Sequence, residues 1–299
     1  MRVAAGRVRL DAGGLLQCTT CHDPHDDSNG KFLVISNQAS ALCQTCHLKN
    51  YWSTANHRVS TKTWNGLAPN PWPHTSGNTV AANACENCHR PHAAGGRKWI
   101  LNNAAEEDNC YSCHNANVAA KNIQSEFAGK PSIHPLATTT GVHDPAEPAV
   151  VQSRHVECVD CHNPHASYAA PATAPKASGK EAGVWGIDTN GNVRQPSGTP
   201  ASVNQYEICY KCHSDSANLP QAGGAPAPPY PNRVALQFNK RLQFDPANPS
   251  FHPIEAAGKG TSVPSLIAPW TTTSIMLCVD CHDNDTGPRA AAPGTGPAG

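Results

Sequence analysis

All fourteen cysteines of this 299-residue chain fall in seven C-x-x-C pairs, and a histidine follows every pair. Two thiols at this spacing can form thioethers with the two vinyl groups on one porphyrin edge, and the next residue then turns its imidazole under the ring. The pattern predicts seven covalently bound haem c groups, each with a proximal histidine ligand to iron. The predicted thioether residues are Cys18, Cys21, Cys43, Cys46, Cys85, Cys88, Cys110, Cys113, Cys158, Cys161, Cys209, Cys212, Cys278 and Cys281. The predicted proximal ligands are His22, His47, His89, His114, His162, His213 and His282.

Other uses of paired cysteines fit the sequence less well. A zinc site would join two pairs, or one pair and distant histidines, into one tetrahedral shell, and it gives the adjacent histidine no role. A disulfide framework would tolerate irregular spacing and needs no histidine after each pair. A thioredoxin-like motif occurs once per domain beside a βαβ pattern, which this sequence lacks. Covalent haem attachment is therefore the favoured interpretation.

The motifs belong to an internal repeat. Residues 18–47 align without gaps on residues 85–114, which superposes two C-x-x-C-H motifs and a C-H-x-P-H segment. The same alignment places the apolar residues 32–34 on residues 99–101. A third copy carries an insert at 168–205 between its two motifs, and a fourth, incomplete copy lacks the P-H element.

This arrangement resembles the multihaem cytochromes with doubled C-x-x-C-H motifs, broadly the cytochrome c3-like proteins of metal- and sulfur-respiring bacteria. The resemblance covers residues 18–282. It implies little regular secondary structure, a fold around stacked haems and a role as electron carrier. It also implies an extracellular or periplasmic location, because similar proteins receive their haems outside the cytoplasmic membrane. Some similar proteins polymerise into extracellular filaments.

The composition agrees with a core built from cofactor. The chain is 38% hydrophobic and 6% aromatic and has 27 prolines and 23 glycines, so something other than apolar side chains must fill the core. Porphyrin faces would supply that apolar surface. The predicted fold class is mostly irregular coil with short α-helices wrapped around a stack of seven haems, with little or no β-sheet.

Only short helices are predicted, and their positions follow from local patterns. They are Ala39–Cys46, Ala104–Cys113 and Lys121–Phe127. Proline and glycine recur too often elsewhere to permit long helices or central strands. The stretches excluded in this way are 64–80, 130–151, 168–205 and 215–233.

The chain is predicted to be a single haem-cored domain, 1–299, assembled from repeat units. The units are 1–50 with haems 1 and 2, 51–130 with haems 3 and 4, 131–215 with haems 5 and 6, and 216–299 with haem 7 and a flexible tail. Seven haems in a chain of this length leave too few residues per haem to insulate neighbouring porphyrins. The haems are therefore expected to lie close together.

Nine histidines remain after the proximal ones, enough for bis-histidine ligation of every iron. The histidine of C-H-x-P-H lies on the same side as its own proximal ligand, so it should reach a neighbouring haem, which we expect within the same pair. These residues are His25, His92 and His165. The candidates upstream of a motif are His74, His134 and His252. The last two precede a proline, a context that often supplies this ligand in the resembling proteins.

That rule gives six distal ligands for seven haems. No histidine precedes the first motif, so the seventh ligand is expected among His57, His155 and His143, with His57 or His155 favoured, from within the chain or from a neighbouring subunit. The alternative is a five-coordinate, open haem, which would be a catalytic position. The chain has only two methionines, so low-potential bis-histidine haems are predicted.

The leading functional hypothesis is electron transfer along closely spaced haems, without enzymatic activity. The alternative is a multihaem reductase acting on nitrite, hydroxylamine or a sulfur oxyanion at one open haem. No variant attachment motif marks a special haem, and the supply of histidines exceeds the demand, which favours the carrier. A haem-bearing structural or adhesion protein is a third class, for which seven haems would be an odd requirement.

Charge and hydropathy restrict the partners. The 22 basic and 22 acidic residues balance, which removes the electrostatic argument for nucleic acid or an anionic membrane surface. No stretch approaches 18 apolar residues, so no transmembrane anchor is predicted, and residues 1–17 contain no visible signal peptide. The expected partners are other redox proteins or extracellular electron acceptors. Because the first unit lacks an upstream half and the last a downstream half, head-to-tail polymerisation into a conducting filament is a further expectation.

Overall fold

The computed structural model describes residues 8–128, 133–136, 155–198, 202–215 and 238–282. Within these residues the backbone is mostly coil with short helices, which confirms the predicted fold class. The α-helices are α1 Cys18–Cys21, α2 Ala41–Gln44, α3 Asn56–Val59, α4 Val80–Asn83, α5 Glu106–Tyr111, α6 Ile123–Glu126, α7 Cys158–Cys161, α8 Gln205–His213 and α9 Lys240–Gln243. Short 3-10 turns lie at Gln38–Ser40, Trp52–Thr54, Ala84–Asn87, Lys98–Ile100, Gly179–Glu181 and Cys278–Asp280.

Each C-x-x-C-H motif lies on or at the end of a helical turn. In five motifs the backbone N–H of the histidine donates to the carbonyl of the first cysteine, four residues earlier, at 2.9–3.0 Å. The sixth motif lies within α8. This single turn places both thiols and the imidazole on neighbouring positions of one helical surface, as attachment of one porphyrin edge requires.

The three predicted helices are present in shortened form. The first is interrupted because Ala39 and Ser40 both have positive φ, and α2 begins only at Ala41. Ser40 is fully buried, and its Oγ donates to the Asn83 carbonyl and accepts from the Cys85 backbone N–H. These tertiary hydrogen bonds fix Ser40 outside the helix, against the local preference. The other two helices are α5 and α6.

Two elements were not predicted. Helix α8 has nine residues and begins with a capping box, in which the Asn204 backbone N–H donates to Glu207 Oε2 at 2.8 Å. The other element is a hairpin of β1 (Gly186–Ile187) and β2 (Val193–Arg194), paired antiparallel. Its turn is held by Asp188, whose Oδ1 accepts two backbone N–H groups at 2.9 Å. Both elements carry a local sequence signal, an Asn-x-x-Glu spacing at the start of α8 and an Asp-Thr-Asn-Gly turn between the two strands.

The chain divides into two compact units. The first takes its described residues from Met1–His143, Val156–Cys158 and Pro164–Ala166, and the second from Asp144–His155, Val159–Asn163 and Ser167–Gly299. The first unit has one small apolar cluster around Trp72, and the second has two, around Val184 and around Tyr210. Clusters this small leave much of each unit without a side-chain core, which agrees with a core supplied by cofactor.

The first two copies of the repeat share one backbone arrangement but differ in register. In the first copy the N–H after the proximal histidine donates to the Phe32 carbonyl, and in the second copy to the Ile100 carbonyl, both at 2.7 Å. The ungapped alignment instead placed Phe32 on Trp99, so it is wrong by one residue between the motifs. The extra residue lies in a loop that contains Gly95 and Gly96, both with positive φ.

Candidate functional site

The proximal histidine of the first motif in each pair is fixed by the same hydrogen bond. The Nδ1–H of His22 donates to the carbonyl of Lys31 at 2.9 Å. The His89 Nδ1–H donates to the Trp99 carbonyl at 2.9 Å, and the His162 Nδ1–H to the Lys180 carbonyl at 3.0 Å. The accepting carbonyl lies 9 residues downstream of His22, 10 downstream of His89 and 18 downstream of His162, so the bond is kept although the intervening loop differs in length.

This bond prepares an imidazole for a metal. A carbonyl acceptor at Nδ1 fixes the tautomer in which Nδ1 carries the proton and Nε2 has a free lone pair. It also fixes the ring orientation and increases the basicity of Nε2. The chain therefore presents three imidazoles in the state that an iron ligand requires.

Three predicted proximal histidines, His22, His89 and His114, have a second imidazole at the distance that one iron would bridge. The ring centroids lie 5.7 Å apart for His22 and His92, 6.3 Å for His89 and His165, and 6.2 Å for His57 and His114. A metal–imidazole bond is about 2 Å long, so two rings on opposite sides of one iron would have centroids about 6 Å apart. The described residues thus fit three bis-histidine haem sites.

The pairing corrects the expected position of the C-H-x-P-H histidines. His92 belongs to the second pair of motifs but stands opposite His22 of the first, and His165 of the third pair stands opposite His89 of the second. Each histidine thus reaches back by one whole pair and not within its own pair. The short C-H-x-P-H spacing excludes the histidine's own haem, and the fold selects which other haem it faces.

His57 is prepared in the same way as the proximal histidines. Its Nδ1–H donates to the Pro164 carbonyl at 3.0 Å, and burial lowers its pKa. Burial also lowers the pKa of His89, and burial together with the charges of Lys49, His89 and His57 lowers the pKa of His165 to about 4. Neutral imidazole is the form that binds a metal. These three side chains are therefore neutral at physiological pH, ready for ligation.

The cysteines connect the motifs into a series. The thiols of Cys43 and Cys85 hydrogen-bond to each other, which raises the pKa of Cys43. A thiol–thiol contact of the same kind joins the fourth motif to the fifth, between Cys110 and Cys158, and raises the pKa of Cys110. Another joins the sixth motif to the seventh, between Cys209 and Cys278, and raises the pKa of Cys209.

The remaining neighbours in the series are close as well. Burial is the main cause of the raised pKa values of Cys21 and Cys113. The neighbouring thiol of Cys46 raises the pKa of Cys21 further, and the thiol of Cys88 raises the pKa of Cys113 further. In the second unit Cys212 contributes in the same sense to the raised pKa of Cys161. The attachment points therefore follow one another in chain order, from the first motif to the fifth in the first unit and from Cys161 to the seventh motif in the second.

The fourteen cysteines are free thiols in this structure. None of them forms a disulfide bond with another. Twelve are partly exposed, and Cys18 and Cys281 are exposed. In the part of the chain that the structure describes, no group of three or more His, Cys, Asp or Glu side chains could hold a bare metal ion.

A buried cation lies at the fifth and sixth motifs of the second unit. Lys211 is 4% exposed, and its Nζ donates to the backbone carbonyl of Asp160. The ammonium also lies 4.7 Å from the centroid of the Trp185 ring, a cation–π contact. Its charge lowers the pKa of Cys161, although burial raises that pKa more. A positive charge here would favour the reduced, less positive form of a haem iron bound nearby.

The other predicted distal histidines lie in varied settings. His25 is exposed, and its backbone N–H donates to Asp23 Oδ1. The Nε2–H of His74 donates to the Glu86 carbonyl at 3.2 Å, and His74 belongs to none of the three ring pairs. His155 is half-buried, and His143 lies outside the described residues.

His134 and His252 share one local geometry. The carbonyl of each accepts the N–H of the residue two positions later, Leu136 or Ile254, at 2.9 and 2.8 Å. Both of these aliphatic side chains are 5% exposed. The buried aliphatic residue anchors the His-Pro segment and leaves both histidines exposed. Their predicted role as axial ligands stays a prediction.

Trp52 and Lys49 are site residues that the sequence did not indicate. The indole of Trp52 meets the His165 ring edge-on, with centroids 6.2 Å apart, and its buried Nε1–H has no hydrogen-bond partner. Lys49 is close enough to lower the pKa values of His89 and His165. Neither residue belongs to a motif, so only the fold brings them to the His89–His165 pair.

The described residues contain no helix long and apolar enough to cross a membrane.

In the comparisons with known proteins, residues 77–228 match a family described as outer membrane cytochrome MtrC/MtrF-like, domains II/IV. Residues 12–50 match the doubled CXXCH motif family. Neither a curated protein nor a solved structure matches the sequence at a significant level.

Proposed function

Because the chain belongs to the MtrC/MtrF-like outer membrane cytochromes, a family of multihaem c-type cytochromes, we propose that it carries electrons along seven bound haems, one per C-x-x-C-H motif. Electron transfer and covalent haem c follow from the family, and the number of haems is our proposal. Each bound haem supplies an iron that accepts and releases one electron. The polypeptide holds these irons, orients their ligands and excludes water from them.

The observation that carries the proposal is the set of three histidine ring pairs at bis-histidine separation. Two ligands on one iron leave no open position for a substrate, which favours a carrier over a reductase. The carbonyl bonds to Nδ1 support the same conclusion, because they hold the imidazoles in one geometry and so reduce the reorganisation that accompanies each electron transfer.

The contacts between cysteines support a linear path. Successive attachment points are neighbours within each unit, so we propose that electrons pass from haem to haem in chain order. Low potential is part of the proposal, since one of the two methionines, Met276, packs in the apolar cluster of Tyr210.

Counting the bound haems tests whether the chain carries seven of them. Intact mass and pyridine haemochrome absorbance of the purified holoprotein are expected to give seven haems per chain. Each double Cys→Ser variant of one motif is expected to lose one haem and no more. A count of six or fewer in the unaltered protein would contradict the assignment of a haem to every motif.

We propose an extracellular location and redox partners, either other cytochromes or extracellular electron acceptors. The support is the outer membrane description of the matching family. Proteolysis of intact cells tests the location. Loss of the haem-stained band after external protease, with a cytoplasmic marker preserved, is the expected result, and full protection of the band would contradict it.

The proposal also includes head-to-tail polymerisation of the protein. His92 and His165 each stand opposite a histidine of the preceding pair, so the same offset directs His25 to a haem preceding the first pair. His25 is exposed. In a head-to-tail assembly the neighbouring copy would provide that haem, and its histidine contact would propagate without closing.

Electron microscopy tests this assembly. The unaltered holoprotein is expected to form filaments, and His25→Ala is expected to remain monomeric with all its haems. Ser28→Ala, an exposed residue of the same loop, is the matched control and should still assemble. Filaments of His25→Ala indistinguishable from the control would contradict the role of His25, and a monomeric unaltered protein would contradict polymerisation.

A further inference from the structure

The sixth motif is the only one of the seven with a basic residue, Lys211, between its two cysteines. Lys211 lies in α8 and is 4% exposed. Its Nζ donates to the carbonyl of Asp160, which belongs to the fifth motif, and lies 4.7 Å from the centroid of the Trp185 ring. A buried ammonium thus reaches from one attachment motif to the preceding one within the second unit.

No ion pair cancels the charge of Lys211 within the described residues, since its partners are a carbonyl and an aromatic ring. Glu207, one turn earlier in α8, accepts instead from the backbone N–H and the side-chain amide of Asn204. Glu181 accepts from the backbone N–H and the hydroxyl of Ser178. Salt screens buried charges much less than exposed ones, so the field of this ammonium persists at high ionic strength.

The seventh motif is a natural comparison, because it repeats the sequence of the fifth. Both read Cys-Val-Asp-Cys-His, at 158–162 and at 278–282. The aspartate of each motif is buried, Asp160 at 7% and Asp280 at 0% exposure. Asp280 Oδ2 accepts from the Leu277 N–H at 2.7 Å, and in the described part of the chain no basic side chain forms an ion pair with it. The two motifs therefore differ in the cation that Lys211 brings to the fifth.

This difference in charge acts on the reduction potential of a bound haem. Reduction lowers the charge of an iron site by one, so a nearby buried cation favours it and a nearby buried carboxylate opposes it. At an effective dielectric constant near 20, one unit charge roughly 10 Å away changes an equilibrium constant by about tenfold. For a one-electron couple a tenfold change is about 59 mV.

We infer that Lys211 raises the reduction potential of the fifth haem above that of the seventh, so that electrons in the second unit move from the seventh motif towards the fifth. The inference rests on the proposed function, because it requires a haem at both motifs. It adds a direction to the path, which the order of the attachment points alone does not give. Lys211 acts through its charge on the iron and is not itself an electron carrier.

Redox titration of the haem-loaded protein, followed by paramagnetic NMR, measures the potential of each haem. The double Cys→Ser variants of the fifth and seventh motifs identify the two signals by their loss. The fifth haem is expected to have the higher potential in the unaltered protein. Lys211→Met fills the same space without a charge, and is expected to lower the potential of the fifth haem by about 59 mV, a tenfold change.

Two further lysine variants separate charge from structure. Lys211→Arg keeps the positive charge and is expected to leave the potential of the fifth haem close to that of the unaltered protein. Lys176→Met removes an exposed lysine of the same unit and is the matched control, expected to change neither potential. A merely structural role of Lys211 would not follow the charge in this way.

Asp280→Asn tests the opposite charge at the seventh motif. The amide oxygen of asparagine can still accept from the Leu277 N–H, so the turn is kept while the charge is lost. The potential of the seventh haem is expected to rise by about tenfold in equilibrium constant, and that of the fifth to stay the same.

Equal potentials of the fifth and seventh haems in the unaltered protein would overturn the inference. A haem-loaded Lys211→Met whose fifth haem titrates as in Lys176→Met would overturn it as well. If Lys211→Met does not load its haems, Asp280→Asn decides, and an unchanged potential of the seventh haem then overturns the inference. Fewer than seven haems in the unaltered protein would instead contradict the proposed function.

Discussion

At the scale of single residues, the imidazoles are arranged by the groups that bind their Nδ1 atoms. Backbone carbonyls fix His22, His89, His162 and His57 in one tautomer. No side chain is needed for this, so substitution of the carbonyl residues would leave the bonds intact. The histidines themselves are the positions where a single substitution changes the chemistry.

The first prediction concerns His57. Its ring faces that of His114, so His57→Ala is expected to convert one low-spin haem to a high-spin, five-coordinate haem, while the haem count stays the same. Electron paramagnetic resonance of the oxidised protein measures this change. Arg58→Ala alters the exposed neighbouring residue and is the control. An unchanged low-spin spectrum in His57→Ala would show that another residue ligates this iron.

At the scale of elements, short helical turns become stable because tertiary contacts complete them. Isolated helices of four residues are not stable in water. Here Ser40, buried in the first unit, links the turn of the second motif to that of the third through its hydroxyl. The thiols of Cys43 and Cys85 meet at the same place. Ser40 therefore sets the distance between two attachment points.

Ser40→Ala tests this link. The substitution leaves the Cys85 N–H and the Asn83 carbonyl without a partner, at a cost of about 2 kcal/mol. Hydrogen exchange of the Cys85 amide is then expected to accelerate by roughly thirtyfold, because exchange follows local opening. Ser36→Ala, an exposed position of the same loop, is the control. Equal protection of Cys85 in both variants would argue against the link.

The contact between α8 and Glu255 predicts how folding stability depends on pH. Tyr210 of α8 donates to Glu255 Oε1 at 2.6 Å, and burial raises the pKa of Glu255 above its ordinary value of 4.5. Of the charged groups facing Glu255, Asp245 raises its pKa further, whereas Arg241 and the bond from Tyr210 lower it. The folded state thus holds the proton more tightly than the unfolded state, so this contribution to stability is complete below pH 4.5 and is lost as the pH rises through the raised pKa.

Glu255→Gln is expected to remove this contribution and keep the bond from Tyr210, since an amide oxygen accepts equally well. Denaturant midpoints measured by circular dichroism across the acidic to neutral range would then vary less with pH than in the unaltered protein. Glu126→Gln, an exposed position in α6, should leave the pH dependence as it was. A Glu255→Gln profile that matches the unaltered protein would contradict this assignment.

At the scale of the whole molecule, the order of the attachment points predicts how loss of one haem acts. The Cys110→Ser, Cys113→Ser variant would lack the fourth haem, which lies between two neighbours in the proposed path. The Cys278→Ser, Cys281→Ser variant would lack the seventh, at the end of the path, and is the control. The current through a monolayer of monomeric protein is expected to fall further in the first variant, and equal currents would contradict a linear path.

The sequence alone determined the cofactor chemistry and the class of fold. The spacing of cysteine and histidine is a local covalent requirement of haem attachment, so it can be read without knowledge of the fold. The same holds for the short helices, since frequent proline and glycine limit their length wherever they lie. The Asn204–Glu207 cap that begins α8 is also local, and a stricter search for capping boxes would have found it.

Tertiary structure decided which imidazoles face each other. His57 and His114 are 57 residues apart, and His89 and His165 are 76 apart, so no local pattern connects them. The carbonyls at Nδ1 are invisible in a sequence because every residue has one. The break at Ser40 arises likewise from contacts between distant segments. Sequence specifies the ligands, and packing of distant segments selects their partners.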